Sequence, residues 1–519
     1  MELFSAFNVY PGDLLQALKG CARPGTLHHR ALPLFTVAKP SASFLPGCNP
    51  EACFSLLPPS LVRFGAFCGT FIHWIGRAMP APLKVAVIGS GISGLGLAHS
   101  LVGHAEVTLF EADTYFGGHT HTVDITLPTS QGMVTHGIDT GFLVYNERTY
   151  PNLIALFAQL GVATAKAEMS FSVQVPGANG GGALEWSGNS VSGVFAQRSN
   201  LYNPKFLSML WHMLRFNKLC TAIATAGDEA KLAQPLGEFI AQHRFSPEFC
   251  NWYLLPMLGC IWSCPTDQML QFPVATMVRF CHNHGLMQIT NRPQWYTVAG
   301  GARHYVDKIV AQIGDKRLNT PVQLIERDAQ GVRVITQGRV ERFDKVVIAT
   351  HAPQALGMLR DASRTEREVL SALRTQANRA VLHTDAQVLP RKRSTWAAWN
   401  YVRGDDVQEQ GRVCLHYLIN KLQPIPFEQP VLVSLNPSRP IAHQHILGEF
   451  DYAHPVFDTA ALAAQQRVGA LQGVNHTYFC GAWTGYGFHE DGLKSGLAVA
   501  RELLRAVHAP AQDALRAVA

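Results

Sequence analysis

The chain has 519 residues, 47% of them hydrophobic and 15% charged, with a mean hydropathy of +0.05. It is long enough for two or three domains with large cores, and too apolar for a disordered protein. A formal charge of +6, with no Lys/Arg block, gives no support to nucleic-acid binding.

The first 78 residues hold four of the eleven cysteines (Cys21, Cys48, Cys53, Cys68), many prolines and no sustained helical or strand period. They read as an N-terminal extension, poorly structured or not native, with Met79 as the expected start. The apolar stretch 64–76, "FGAFCGTFIHWIG", is too short to span a bilayer, and a membrane-surface anchor is its alternative reading. No run of about 20 uninterrupted apolar residues exists, so no spanning helix is predicted. The closest cysteine pairs, Cys48/Cys53 and Cys260/Cys264, lack a second pair at zinc-ligand spacing. Reduced thiols and a cytoplasmic location, or one peripheral to a membrane, are expected.

Residues 84–94, "KVAVIGSGISG", predict a doubly buried strand from Lys84 to Ile88 running into a G-x-G-x-x-G turn. Gly89 permits the tight turn, Gly91 lets backbone approach a pyrophosphate, and Gly94 allows the next helix to pack closely. That helix is predicted from Ile92 to about Val102, with Gly103 as its stop. A second strand, "EVTLFE", ends at Glu111, 22 residues after Gly89, where a carboxylate accepts hydrogen bonds from an adenosine ribose. These residues predict a dinucleotide site without deciding between a nicotinamide carrier and a flavin.

Further along, "EADTYFGGHTHTV" brings a second glycine doublet, Gly117-Gly118. Pro151 opens a helix with Leu153, Leu156, Phe157 and Leu160 on one face, closed by Gly161. Residues 343–356, "FDKVVIATHAPQAL", read as strand then helix. Residues 477–504 read as strand, glycine-rich loop and helix, with Leu493, Leu497, Ala500 and Leu504 on its core face.

In these spaced segments, from about residue 84 to 507, the sequence resembles the FAD-dependent amine-oxidase superfamily, which includes carotenoid desaturases and protoporphyrinogen oxidases. "GIDTGFLVYNERTYPNL", "PQWYTVAGGARHYV", "VVIATHAPQAL" and "CGAWTGYGFHEDGLKSG" look most like bacterial NAD/FAD-binding amine-oxidase-like proteins. Those are similar to the flavoprotein region of plant cyclopropane fatty acid synthases. The resemblance implies FAD, with Gly89, Gly91 and Gly94 at its pyrophosphate, Glu111 at the adenosine ribose, and Gly117 and Gly118 following it toward the ring. It further implies the Val322 backbone at the adenine and a loop from Gly481 to Gly492, with Trp483, past the ribityl chain and flavin. The Gly492-Leu493 backbone is the expected donor to the negative charge of reduced flavin. Relatives often carry an acid directly after the glycine that matches Gly481. Here Ala482 follows, and Asp491 is the nearby substitute.

A flavin oxidoreductase needs a dry, shaped cavity more than an acid–base pair. The segments 206–216, 249–263 and 396–402 supply aromatic and aliphatic walls, although each aromatic taken singly reads as ordinary core. Tyr486 and Phe488 are the ring candidates nearest the flavin. His489 is the candidate proton carrier in desaturation or isomerisation, and its plainer alternative is a loop histidine bonded to backbone. The pairs His119/His121 and His282/His284 lack a spaced carboxylate or cysteine partner, so no metal is expected.

The expected fold is α/β: a Rossmann-like FAD-binding domain from discontinuous segments (79–150, 296–355, 470–508) with an inserted mixed α+β substrate domain (151–295, 356–469) and a tail at 509–519. The expected function is removal of hydride from an apolar small molecule, with an unsaturated or modified fatty acyl chain favoured. The alternatives are amine or polyene oxidation, an NAD-dependent dehydrogenase, which the late loop "CGAWTGYGFHEDG" argues against, and a non-catalytic flavin-holding partner of a lipid-modifying methyltransferase. Expected partners are that substrate, a lipid surface and such a lipid-modifying enzyme.

Overall fold

A computed structural model describes residues 82–226, 234–262, 266–286, 292–404 and 413–516. The expectations for Met79, the stretch 64–76, the four N-terminal cysteines and Cys264 lie outside the described residues.

Strand β1 (Lys84–Ile88) is buried at every position but Lys84. It leads into α1 (Ile92–Leu101) and then β2 (Glu106–Phe110). Helix α2 (Pro151–Leu160) starts on its proline and stops at Gly161, which adopts the left-handed conformation that glycine reaches without strain. A hairpin of β3 (Phe171–Asn179) and β4 (Gly182–Ser187) follows. Next come three helices, α3 (Pro204–Ala226), α4 (Val274–Asn283) and α5 (Arg303–Val310). The chain continues through β5 (Asp315–Arg317), β6 (Lys345–Ile348) and β7 (Thr375–His383). Then come β8 (Trp399–Val402), β9 (Cys414–Leu418), β10 (Leu432–Leu435) and β11 (Ile446–Pro455). Strand β12 (Thr477–Phe479) and helix α6 (His489–Arg516) come last.

Two sheets organise these elements. The first runs β5-β2-β1-β6-β12, and all its pairs are parallel. Alternation sends Val85, Val87, Leu109 and Val347 into one core with α1, α2, α5 and α6. Ala86, Ile88, Phe110, Val346 and Ile348 enter a second core under residues 352–373 and 461–471. Both faces are therefore covered, which is why β1 reads as an unbroken apolar run.

The second sheet runs β11-β7-β10-β9-β8-β3-β4. One face, carrying Leu382, Leu415, Val433, Tyr401, Val173 and Trp186, packs against α3, α4 and the helix Leu255–Trp262. The stretches 206–216 and 249–262 supply much of this core, with Phe206, Met209, Phe216, Phe249 and Trp252 buried. The opposite face is buried too, yet it carries Ser172, Glu185, His383, Asn400, His416 and Ser434. Among the described residues, no helix is long and apolar enough to cross a membrane.

Candidate functional site

Strands β1, β2, β6 and β12 run parallel, so the turns that follow them leave one edge of the first sheet, where open α/β sheets bind ligands. Gly89 turns there at φ +99°, and its amide donates to the Phe110 carbonyl (2.8 Å). Gly94 has no room for a side chain, since a Cβ there would lie 2.0 Å from the Gly89 carbonyl oxygen. Gly91 is the opposite case. Its φ of −62° suits any residue, and a Cβ on it would meet nothing within 4 Å. It faces open space at the N-terminus of α1, which has no side-chain cap and no acid in its first turn. Free helix amides and the positive dipole end make that space suited to a diphosphate.

Glu111 follows β2 at the same edge. Its Oε2 accepts from the Ser90 amide (2.9 Å) and hydroxyl (2.5 Å), and its Oε1 accepts from the Asp113 amide (3.0 Å). Three donors fix the carboxylate beside the glycine turn and leave it acceptor capacity for ribose hydroxyls. The second doublet is tied to the first turn, because the Gly117 amide donates to Ser90 Oγ (3.0 Å). A Cβ on Gly118 would stand 3.2 Å from Gly91 Cα. Val322 begins the strand Val322–Asp328, two residues after Thr320, whose amide donates to the Glu111 carbonyl (2.8 Å).

The late loop corrects one expectation. Helix α6 begins at His489, not after Gly492, and the Gly492 amide donates to the Phe488 carbonyl (3.0 Å). Leu493 is fully buried in the core beside α1. The Gly492-Leu493 backbone therefore has no free amide for a flavin, and the unpartnered first turn of α6 moves to His489, Glu490 and Asp491. Gly492 acts instead through its missing side chain, since a Cβ would lie 2.9 Å from both Ile92 Cγ2 and Ser93 Oγ. Gly496 repeats this one turn on, with Ser93 O at 2.2 Å, and Gly96 makes room for Leu493 Cδ1 at 2.3 Å. Small residues thus clamp α6 across α1.

Trp483 is buried, and its indole nitrogen donates to the Thr350 carbonyl (3.0 Å). A Cβ on Gly481 would collide with that nitrogen at 2.2 Å, which explains the glycine. The indole is therefore a wedge between the β6 and β12 turns, and its ring is turned to the protein's own core. Asp491 pins the loop by accepting from the Tyr486 and Phe488 amides (3.0 Å each), and burial raises its carboxyl to about 6. Phe488 stacks on Phe280 at 4.8 Å, while Tyr486 meets the same ring edge-on at 6.2 Å. Both rings therefore lean on α4.

His489 stacks on Phe142 (3.8 Å, 11°), and its Nε2 bonds the hydroxyls of Tyr305 (2.6 Å) and Thr120 (3.1 Å). Burial drives its pKa down to about 3, so it is neutral at pH 7. That environment suits an anchored imidazole rather than a carrier that exchanges protons with water. Tyr305 reaches it because Asp139, in "GIDTGF", accepts from the Ala302 amide (2.9 Å) and so holds the start of α5. Glu490, next in sequence, accepts from the Asn152 and Leu153 amides (3.0 Å each) and stabilises the first turn of α2.

Four histidines gather here. His119 lies 5.3 Å from His454 and 6.0 Å from His351, ring to ring, with Tyr452 at 5.1 Å. Burial lowers the pKa of His119, His351, His454 and His489, yet each ring residue keeps some accessible surface. These rings are desolvated and still partly accessible, as groups facing a ligand must be. His119 Nε2 is shielded and has no hydrogen-bond partner. A buried polar atom left open in this way is a fitting partner for a polar ligand group.

A sequence profile described as flavin-containing amine oxidoreductase matches residues 92–388. The chain belongs to that family. Among solved structures, cyclohexylamine oxidase from Brevibacterium oxydans IH-35A superposes with TM-score 0.59 at 17% identity, over 81% of this chain and 99% of that one. A fatty acid isomerase from P. acnes that produces CLA gives 0.56 at 16% identity, over 82% and 99%. A putative protoporphyrinogen oxidase from Exiguobacterium sp. 255-15 gives 0.57 at 17% identity, over 81% and 98%. A search of curated proteins finds no match. At these identities the likeness is one of fold, and family membership makes the protein an FAD-dependent oxidoreductase. The open space before Gly91, the braced carboxylate of Glu111 and the orphaned His119 nitrogen all fit FAD.

The sequence reading missed Tyr305, Asp139 and the convergence of His119, His351 and His454. Each acts through a partner more than 15 residues away, so no local spacing betrays it. The two acids of "HED" were the available signal for anchored backbone.

Proposed function

We propose that the protein oxidises an apolar substrate, an unsaturated or modified fatty acyl chain, by loss of two hydrogens, one as hydride to the flavin and one as a proton. The observation carrying this reading is the neutrality of the histidine cluster around His119. Its histidines are held uncharged by burial. The neighbouring acids Glu490, Asp491 and Asp139 are committed to backbone amides. A cationic amine entering such a site would lose its hydration with no carboxylate to replace it, whereas an alkyl chain would gain by leaving water.

FAD, when bound, supplies the two-electron acceptor. This chain's residues do the rest. The α1 terminus and Glu111 orient the dinucleotide, and the clamped α6 closes the site toward the loop 481–488. The rings of Phe280, Phe488 and Tyr486 wall it against water. His119 Nε2 accepts a hydrogen bond from the ligand face it meets. The fatty acid isomerase of related fold supports an acyl substrate, and the amine oxidases of the same fold support the competing amine reading.

Anaerobic bleaching of the flavin absorbance separates them. Acyl chains, offered free and within phospholipid, are expected to bleach it, and primary amines are not. Bleaching by amines alone overturns the acyl assignment. Bleaching by neither points to a flavin-holding partner of a lipid-modifying enzyme.

A further inference from the structure

Helix α3 is apolar on both sides. Its inner face, with Phe206, Met209, Leu210, Met213 and Phe216, is buried in the core of the second sheet. A surface helix with one face so spent normally turns charge outward. Here the outward positions include Leu207 and Trp211, one turn apart and 42% and 59% exposed, and the approach to the helix adds Tyr202 at 85%. They form an apolar and aromatic ridge among the described residues.

Its charge is one-sided. From Arg198 to Ala226 the chain carries Arg198, Lys205, Arg215 and Lys218 and not a single Asp or Glu. Arg198, Lys205 and Lys218 are exposed. Lys205 Nζ stands 3.6 Å from Glu248 Oε1, a loose surface pair with the lysine 70% exposed. The Arg215 guanidinium lies over Trp211 at 5.7 Å and over Phe245 at 4.9 Å, which holds the indole in place. Tryptophan and tyrosine favour the headgroup level of a bilayer, leucine the acyl boundary just below, and lysine and arginine the anionic lipid surface.

We propose that this face of α3 docks the protein on an anionic phospholipid bilayer, with Leu207 and Trp211 entering the acyl boundary and Lys205 and Lys218 meeting headgroup phosphates. The docking face deepens the acyl-chain reading and rests on it for its purpose, though not for its geometry. It places the bilayer one helix away from the core of the second sheet.

The test is vesicle co-sedimentation of the full-length, FAD-loaded protein. Vesicles contain about 30% phosphatidylglycerol in phosphatidylcholine, or phosphatidylcholine alone. Wild type is expected to bind the anionic vesicles and to lose most of that binding on pure phosphatidylcholine or at high salt. Leu207→Ser with Trp211→Ser is expected to lower the partition at least about tenfold, with flavin content unchanged and Tm lowered only slightly because both side chains are partly exposed. Lys205→Glu with Lys218→Glu is expected to abolish the preference for anionic lipid. The proposal is overturned by no binding by wild type, whether or not it forms a dimer that the serine variant splits, or by binding unchanged in the serine variant. Loss of binding on removing residues 1–78, with none in the serine variant, assigns the membrane contact elsewhere and also overturns it. Sedimentation involves no redox chemistry. Binding without acyl bleaching therefore refutes the acyl substrate and leaves the docking face standing.

Discussion

The two sheets bury polar chemistry in opposite ways. In the five-stranded parallel sheet the central strands β1 and β6 bury only aliphatic side chains, and recognition is delegated to backbone at the edge, through Gly89, Gly91 and the start of α1. The seven-stranded sheet carries side-chain polarity through its middle. His383 Nε2 and His416 Nδ1 both bond Ser434 Oγ at 2.6 Å across three strands, and the Asn400 amide donates to the carbonyls of Ala397 and His416. A backbone site demands glycine at fixed spacings. A side-chain relay demands only that its members meet, from whatever positions in the chain.

Substitutions break the two regions differently. The largest effect is expected from Gly94→Ala, where a methyl group 2.0 Å from the Gly89 carbonyl forces α1 off β1. A loss of about 3 kcal/mol or more is expected, read as a collapse in soluble yield and Tm. Gly91→Ala is its counterpart, because the protein has room for the methyl and the cofactor would not. Apoprotein stability should stay within about 0.5 kcal/mol, while FAD affinity measured by fluorescence titration falls about 100-fold. Equal damage from both substitutions would sink the pyrophosphate assignment.

In the second sheet, Ser434→Ala strips one partner from each of two buried imidazoles. Chemical denaturation should show a loss of about 2 kcal/mol with flavin content unaltered. The same histidines set a pH dependence. Burial lowers His383 to about 4 and His416 to about 3, below the ordinary 6.5. The unfolded chain therefore takes up protons that the folded one refuses, so stability is fully present above pH 6.5 and declines as the pH falls from there toward 4. Each histidine contributes at most about 1.4 kcal/mol per pH unit, to be read from urea melts at pH 5 and 7. His383→Gln should make that decline shallower, and an unchanged slope would place the acid sensitivity elsewhere.

The contrast also explains what the sequence disclosed. Lys84–Ile88, the three glycines, Glu111 and the helix from Pro151 to Gly161 are local patterns, and each element formed within a residue of its reading. Tyr305, His119 and Ser434 acquire meaning only from neighbours distant in sequence. Nothing in their immediate surroundings separates them from ordinary strand, turn or helix residues. The start of α6 was misplaced for a related reason. "GYGFHED" reads as loop because its glycines and acids suggest turns, but the acids accept amide protons from the loop and from α2, and the helix starts among them.

The clamp of α6 across α1 joins residues 92–96 to residues 492–496 with no space for even a methyl group between them. During synthesis on the ribosome, the phosphate-binding turn therefore emerges some 400 residues before the segment that braces it. A message truncated anywhere short of codon 496 should yield colourless protein rather than a slower catalyst, because the helix that braces the phosphate-binding turn is then missing.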